Sequence, residues 1–377
     1  MFDVIIAGRG ITAMSTALHL KRHGIKSVCM IGPQRDFTNC NSLSSSYISV
    51  SLHDNISRAV HGQGSQVAAD LLRLNYHGFC DLLKESSLLG VTHCEGQVYR
   101  ITSSSMEARE MLIASHWLSS RGFPAQYDHG LEQGKKFSTQ SDGAASATIN
   151  AAMLLDRLET DLKLTMFNEN VTSLRCFPDH VLVQTSKGQN IQAQMIILAC
   201  HLGLKTLLPD LQAVLINHAD QWCTFAKEGD HPLLIPGNFI LAEFGQFWIS
   251  VGLNHTLTAG GGRFMRKWAG VEAAHAEFEP KINILVKEKI EDLFEIKLTA
   301  TDKYQSQIEL HTCDELPLIG PWYNESRILL ASGFMGSGLS LGFAAGRGLA
   351  DMVALGSSKT VPDTFHPKRL RSLPEVP

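Results

Sequence analysis

The chain has 377 residues, 44% hydrophobic and 19% charged, which suits two or three domains or one large α/β architecture and excludes a disordered chain. Its formal net charge of −4 gives no global attraction to nucleic acid or an anionic membrane, and its 16 histidines fall in no HExxH or paired-ligand spacing. The 8 cysteines include no CxxC, the N-terminus enters a strand at once, and no apolar run spans a bilayer, so the expectation is a soluble cytoplasmic protein with free thiols and no metal site.

The first 31 residues read as strand, glycine turn, helix and second strand. Val4-Ile5-Ile6-Ala7 is an apolar run, followed by Gly8-Arg9-Gly10-Ile11-Thr12-Ala13. This is the βαβ pattern that holds a dinucleotide pyrophosphate. Gly8 permits the tight turn, Gly10 lets the backbone approach the phosphates, and Ala13 lets helix and strand pack closely. The helix start offers free N–H groups and a partial positive charge. The acidic residue that usually ends the second strand is missing: Ile31-Gly32-Pro33 stands there. Asp36 could reach the ribose from the loop; otherwise backbone groups and shape hold the adenosine end.

A serine-rich stretch, Ser42 to Tyr47, has hydroxyls suited to a polar ligand. Helical periodicity covers 66–89, a strand covers Gly96–Ile101, and a helix runs from Glu107 to Arg121. Residues 123–145 are expected to loop across a second domain. A helix over 149–162 precedes short strands at Leu164–Phe167, Val171–Cys176, Val181–Thr185 and Asn190–Ala193, then a buried strand at Met195–Ala199. Strands and loops alternate over 213–310, with a hairpin of Phe239–Glu243 and Phe247–Gly252 and a partly helical segment, Ala273 to Leu293, broken at Pro280. Beyond Ser357 the tail is expected to be extended.

The strand Ile328–Ala331, the turn Ser332–Gly338 and the helix after it make a second strand–glycine–helix unit. Its helix start suits an electron-rich group, such as a flavin C2 carbonyl that gains charge on reduction. At this point the chain resembles the FAD-dependent D-amino-acid oxidase superfamily, in its glycine oxidase and sarcosine oxidase branch. The resemblance rests on Val4–Ala13, the serine loop 42–47, Asp314-Glu315-Leu316-Pro317-Leu318-Ile319-Gly320, Ala331–Leu339 and Phe365-His366-Pro367-Lys368-Arg369. It implies an α/β fold: a Rossmann-like FAD-binding domain (1–75, 146–212, 311–356) interleaved with an α+β substrate domain built on an antiparallel sheet (76–145, 213–310), then a tail, 357–377. It implies that Gly8, Gly10, Ile11, Thr12 and Ala13 serve the pyrophosphate and Ser42, Ser44, Ser45 and Ser46 the flavin side. Gly333, Met335, Gly336, Ser337, Gly338 and Leu339 serve the isoalloxazine, and Val171 also touches the cofactor.

The departures bear on substrate. Where the resemblance implies an arginine for the substrate carboxylate, this chain has Glu309, which would repel a carboxylate. Either Arg263, Arg266 or Arg58 serves instead, or the substrate is an amine without that group. Near Gln307 the resemblance implies a flavin-attaching cysteine, so non-covalent FAD is expected. Ser250 stands where it implies an oxygen-activating lysine, which leaves the electron acceptor open between oxygen and another species. Ala199-Cys200-His201 replaces Ala-x-Gly, so that turn is expected to differ. The reaction implied is hydride transfer from the α-carbon of an amine or amino acid to flavin N5, with hydrolysis of the imine. His53, Tyr304 and Glu309 are candidates to tune the substrate amine, and Trp222, Phe225, Phe247 and Trp248 to wall the pocket. Two alternatives are a flavoprotein that has lost this activity and serves a protein partner, and a flavoenzyme that trims a transfer-RNA side chain; the lack of a basic stripe argues against the latter.

Overall fold

A computed structural model describes residues 1–34, 47–252, 256–322 and 325–372. Its first sheet has the order Leu318–Trp322, Glu325–Ser332, Asn190–Leu198, Phe2–Ala7, Val28–Ile31 and Thr165–Phe167. Along this order all neighbours run parallel except the first pair, and Val181–Thr185 with Val171–Cys176 adds an antiparallel extension on part of Asn190–Leu198. Val4 to Ala7 and Val28 to Ile31 are buried, as parallel strands covered on both faces must be. The register pairs Ala7 with both Ile31 and Leu198. The carboxyl ends of these strands therefore lie level, where an open α/β sheet binds its ligands.

The second sheet runs Lys297–Thr312, Leu215–Glu228, Thr256–Gly261, Phe247–Val251, Phe239–Ala242, His93–Thr102, Ser138–Ile149 and Tyr47–Ser49. It is antiparallel except where Phe239–Ala242 runs parallel to His93–Thr102. Tyr47–Ser49 pairs here, although it lies within the segment expected to belong to the cofactor domain.

Four expectations need correction. Residues 126–128 and 138–149 are strands, not a loop. Ser138–Ile149 alternates between buried and half-buried positions, but Ser138, Gln140 and Asp142 hold the buried ones, so the period was masked by polarity. Asn190–Leu198 is one continuous strand. Pro280 opens a helix, Pro280–Phe294, because its missing N–H would be unpaired in a first turn anyway. The tail folds back: Val361, Phe365 and Leu370 are buried. Arg369 donates to Asp314 at 2.7 and 3.1 Å and to the carbonyls of Leu316, Pro317 and Phe365.

Helices Ile11–Arg22 and Ser340–Leu355 cross closely. A Cβ on Gly346 would sit 2.5 Å from the Thr12 carbonyl oxygen, so only glycine fits that crossing. Ser15 lies in the same contact and donates to the Phe343 carbonyl at 2.6 Å. Thr12 through Leu20 are all buried, and the short hydroxyl side chains find backbone acceptors inside. The crossing brings the starts of both helices to one place.

Candidate active site

Both glycine turns open into a single cavity of about 1110 Å³. That exceeds the roughly 300–1000 Å³ of an ordinary small-ligand pocket and leaves room for a dinucleotide together with a small substrate. At Gly8, φ is +120° and a Cβ would sit 2.1 Å from the Ala199 carbonyl oxygen, so the turn admits only glycine. At Gly10 and Gly338 a Cβ would meet nothing within 4 Å; both glycines line the cavity and leave bare backbone towards it. Neither helix start carries a side-chain cap, whereas Asn150 and Ser104 cap two of the helices elsewhere. Uncapped N–H groups beside open space are what a pyrophosphate or a flavin carbonyl needs. These residues fit FAD.

Ile11, Thr12, Val171, Gly333, Met335, Gly336, Ser337 and Leu339 also line the cavity, and Ala13 is fully buried just behind it. Ser42, Ser44, Ser45, Ser46 and Asp36 lie outside the described residues. Arg9, within the first glycine turn, lines the cavity, pairs with Glu159 and donates to Asn168 Oδ1 at 2.6 Å. Sequence reasoning gave Arg9 no role. His201 keeps a left-handed backbone, φ +52°, so the turn expected to differ retains a glycine-like conformation without glycine.

The far wall comes from two antiparallel strands. His218, Asp220 and Trp222 alternate along one; Gln307, Glu309 and His311 alternate along the other, with His218 opposite Glu309. Glu309 accepts from Gln307 at 3.2 Å and faces His311 Nε2 at 3.5 Å. Burial pushes the Glu309 carboxyl up, but the His311 hydrogen bond and the nearby charges of His311 and Arg263 outweigh it and keep Glu309 ionised. Burial, reinforced by Arg263, holds His53 at about 4, while burial, His311 and Arg263 hold His218 at about 4, so both are neutral at pH 7. Burial and the charge on Glu309 push Asp220 up to about 6, against the pull of Arg263. Among these groups, sequence reasoning had missed His218, Asp220 and His311.

His53 sits on a loop clamped from behind. Arg100 donates to the carbonyls of Leu52, His53 and Asp54 at 2.6, 3.2 and 2.9 Å and pairs with Asp142 at 3.3 Å. Arg100 and Asp142 are both buried. Of the three candidate cations, only Arg263 lines the cavity, with Nη1 3.2 Å from His218 Nδ1. Arg266 is bonded to Glu279 and Gln221, and Arg58 to Glu110. Tyr304 is 56% exposed against Phe278 and is not among the lining residues. Trp222 and Trp248 line the cavity, while Phe225 and Phe247 point into the core on the other face. Ser250 is buried away from the cavity, and Gln307 lines it.

No metal-holding group of three His, Cys, Asp or Glu is present among the described residues, and no described helix is long and apolar enough to cross a membrane. The seven cysteines among the described residues are free thiols.

The fold is shared with glycine oxidase from Geobacillus kaustophilus (13% identity, 98% of each chain covered, TM-score 0.76). It is shared equally with L-proline dehydrogenase from P. horikoshii (12%, 98% of each chain, TM-score 0.78). Iminodiacetate oxidase from Chelativorans sp. BNC1 is similar too (16%, 97% of this chain and 98% of that one, TM-score 0.72). At these identities the likeness establishes the fold alone. No curated protein sequence matches the chain. The sequence profile of the DAO family, described as FAD dependent oxidoreductase, matches residues 3–352. With nearly the whole chain matched and both glycine turns opening on one cavity, this protein belongs to the DAO family of FAD-dependent oxidoreductases.

Proposed function

We propose that the protein oxidises the C–N bond of a small amine or amino acid, releasing an imine that water hydrolyses. The observation that carries this reading is the continuity of one cavity from the two helix starts to the charged wall of Asp220, Glu309 and Arg263. When bound, FAD supplies the hydride acceptor at N5. The chain's own residues do the rest. The N–H groups at Ile11 and Ser340 face the places where negative charge sits or develops. Trp222 and Trp248 wall the pocket and keep water from the reacting carbon. Arg263 holds a substrate carboxylate, taking over from the arginine that Glu309 displaces. Glu309 and His53 keep the amine end polar, as tuning groups rather than proton carriers. Names of proteins with the same fold, which act on glycine, L-proline and iminodiacetate, support a substrate in which nitrogen and carboxylate lie close together.

The test is anaerobic bleaching of the yellow holoenzyme by glycine, L-proline, iminodiacetate and simple amines lacking a carboxylate. At least one amine bleaches the flavin. Arg263→Ala then weakens the carboxylate-bearing substrates by roughly 10- to 100-fold and leaves simple amines unchanged. Bleaching by no amine refutes the reading.

A further inference from the structure

Two carboxylates stand on the charged wall, and they differ in how they are satisfied. Glu309 has a partner at each oxygen, Gln307 at one and His311 at the other. Asp220 is 9% exposed, lines the cavity, and its Oδ1 has no hydrogen-bond partner. A buried carboxylate oxygen left unpaired is costly, and a fold keeps one where a ligand completes it. The Trp248 side chain and the Gln221 backbone N–H donate to the Asp220 carboxylate and hold it in the cavity wall, which leaves Oδ1 as its unfilled acceptor position. The opposite sign is close by: Arg263 lies on the same cavity. A substrate bearing both an ammonium and a carboxylate thus meets an acceptor and a donor together.

We propose that Asp220 receives the substrate's ammonium group and takes its proton, delivering the neutral amine that oxidation requires. The proposal rests on the reading of this cavity as an amine-oxidising site. An N–H bond of the ammonium breaks, an O–H bond forms on Asp220, and the electron pair stays on nitrogen. FAD, when bound, would accept the α-hydrogen with its electron pair, and the nitrogen lone pair freed at Asp220 would form the C=N bond. Asp220 later returns its proton to water. The substrate class is a primary or secondary amine that enters protonated.

The surroundings suit this role. Glu309 and Arg263 act on Asp220 by their charge, and His53, His218 and His311 line the same cavity. His53 and His218 are neutral, so at pH 8 the two carboxylates outweigh the guanidinium and the pocket favours a cation. Burial makes Asp220 a stronger base than an ordinary aspartate, while leaving it ionised at that pH.

The test uses holoenzyme and two probes, methylammonium and acetate, read by the immediate perturbation of the flavin absorbance before any bleaching. Methylammonium affinity in the wild type rises as pH passes through about 6. Asp220→Asn loses roughly 10- to 100-fold of it at pH 8, with acetate bound as tightly or more so. Asp220→Glu keeps both the binding and its pH dependence, and serves if the amide variant does not hold flavin. Methylammonium affinity within twofold of wild type in Asp220→Asn overturns the proposal, and so does equal loss of both probes. Bleaching by an amine that is indifferent to Asp220→Asn refutes the ammonium site and spares the amine reading. Asp220-dependent methylammonium binding with no amine bleaching the flavin does the reverse.

Discussion

Asp220→Asn should make the apoprotein more stable at neutral pH. The carboxyl is raised from 3.8 to about 6 in the folded protein by burial and by Glu309. Between those values the native state keeps a proton that the unfolded chain has lost. Stability therefore falls as pH rises through this window, and the whole cost is present above it. A shift of that size is worth at most about 3 kcal/mol. The new amide brings N–H donors of its own into a site with one unpaired oxygen, which gives back about 1 kcal/mol. The net gain is about 1–2 kcal/mol at pH 8 and close to nothing at pH 4. For a chain of this length that is a rise in melting temperature of about 1–3 °C. Calorimetry of flavin-free wild type and variant at both pH values measures it. A melting difference that is the same at both pH values, or a variant that melts lower at pH 8, would refute the reasoning.

Other perturbations test the frame around the site. Gly8→Ala should give a colourless protein, since the added methyl meets the Ala199 carbonyl at 2.1 Å; the 450 to 280 nm absorbance ratio reports it. Arg100→Ala should cost about 3–5 kcal/mol in urea unfolding by leaving the buried Asp142 charge with only its Ser51 and Gln140 hydrogen bonds and no cation, and should loosen the loop that carries His53. His201→Gly should stabilise by up to about 1 kcal/mol, because the left-handed backbone at φ +52° favours glycine; a lower urea midpoint would show that the imidazole does more than fill space. Acid precipitation should release all of the flavin into the supernatant, since Gln307 offers no thiol for attachment.

The parts of this molecule legible in its sequence are those where geometry dictates residue type. Gly8 and Gly10 were readable because a side chain at one would strike the neighbouring strand and at the other would fill the cavity. The last helix, Ser340–Leu355, was readable because a strand and a glycine turn precede it. The charged wall was not readable. His218 and Asp220 meet Glu309 and His311 only through the register of a strand pair about ninety residues apart, and no local pattern carries that register. The one available signal was Gln307, Glu309 and His311 alternating with Ile308 and Leu310; around His218 and Asp220 the polar Asn217 and Gln221 erase any such alternation. Parity also explains Tyr304: Gln307, Glu309 and His311 occupy odd positions facing the cavity, and an even-numbered tyrosine falls on the other face.

The crossing of helices Ile11–Arg22 and Ser340–Leu355 has a temporal consequence. Its two halves are made roughly 320 residues apart, yet Thr12 and Gly346 must touch before both phosphate and ring ends of the coenzyme can be held. At about 5–20 residues per second the ribosome takes at least some 15 seconds to join them. The nascent chain passes that interval with the face of the first helix that receives Gly346 uncovered, and coenzyme capture waits until translation of the second is done.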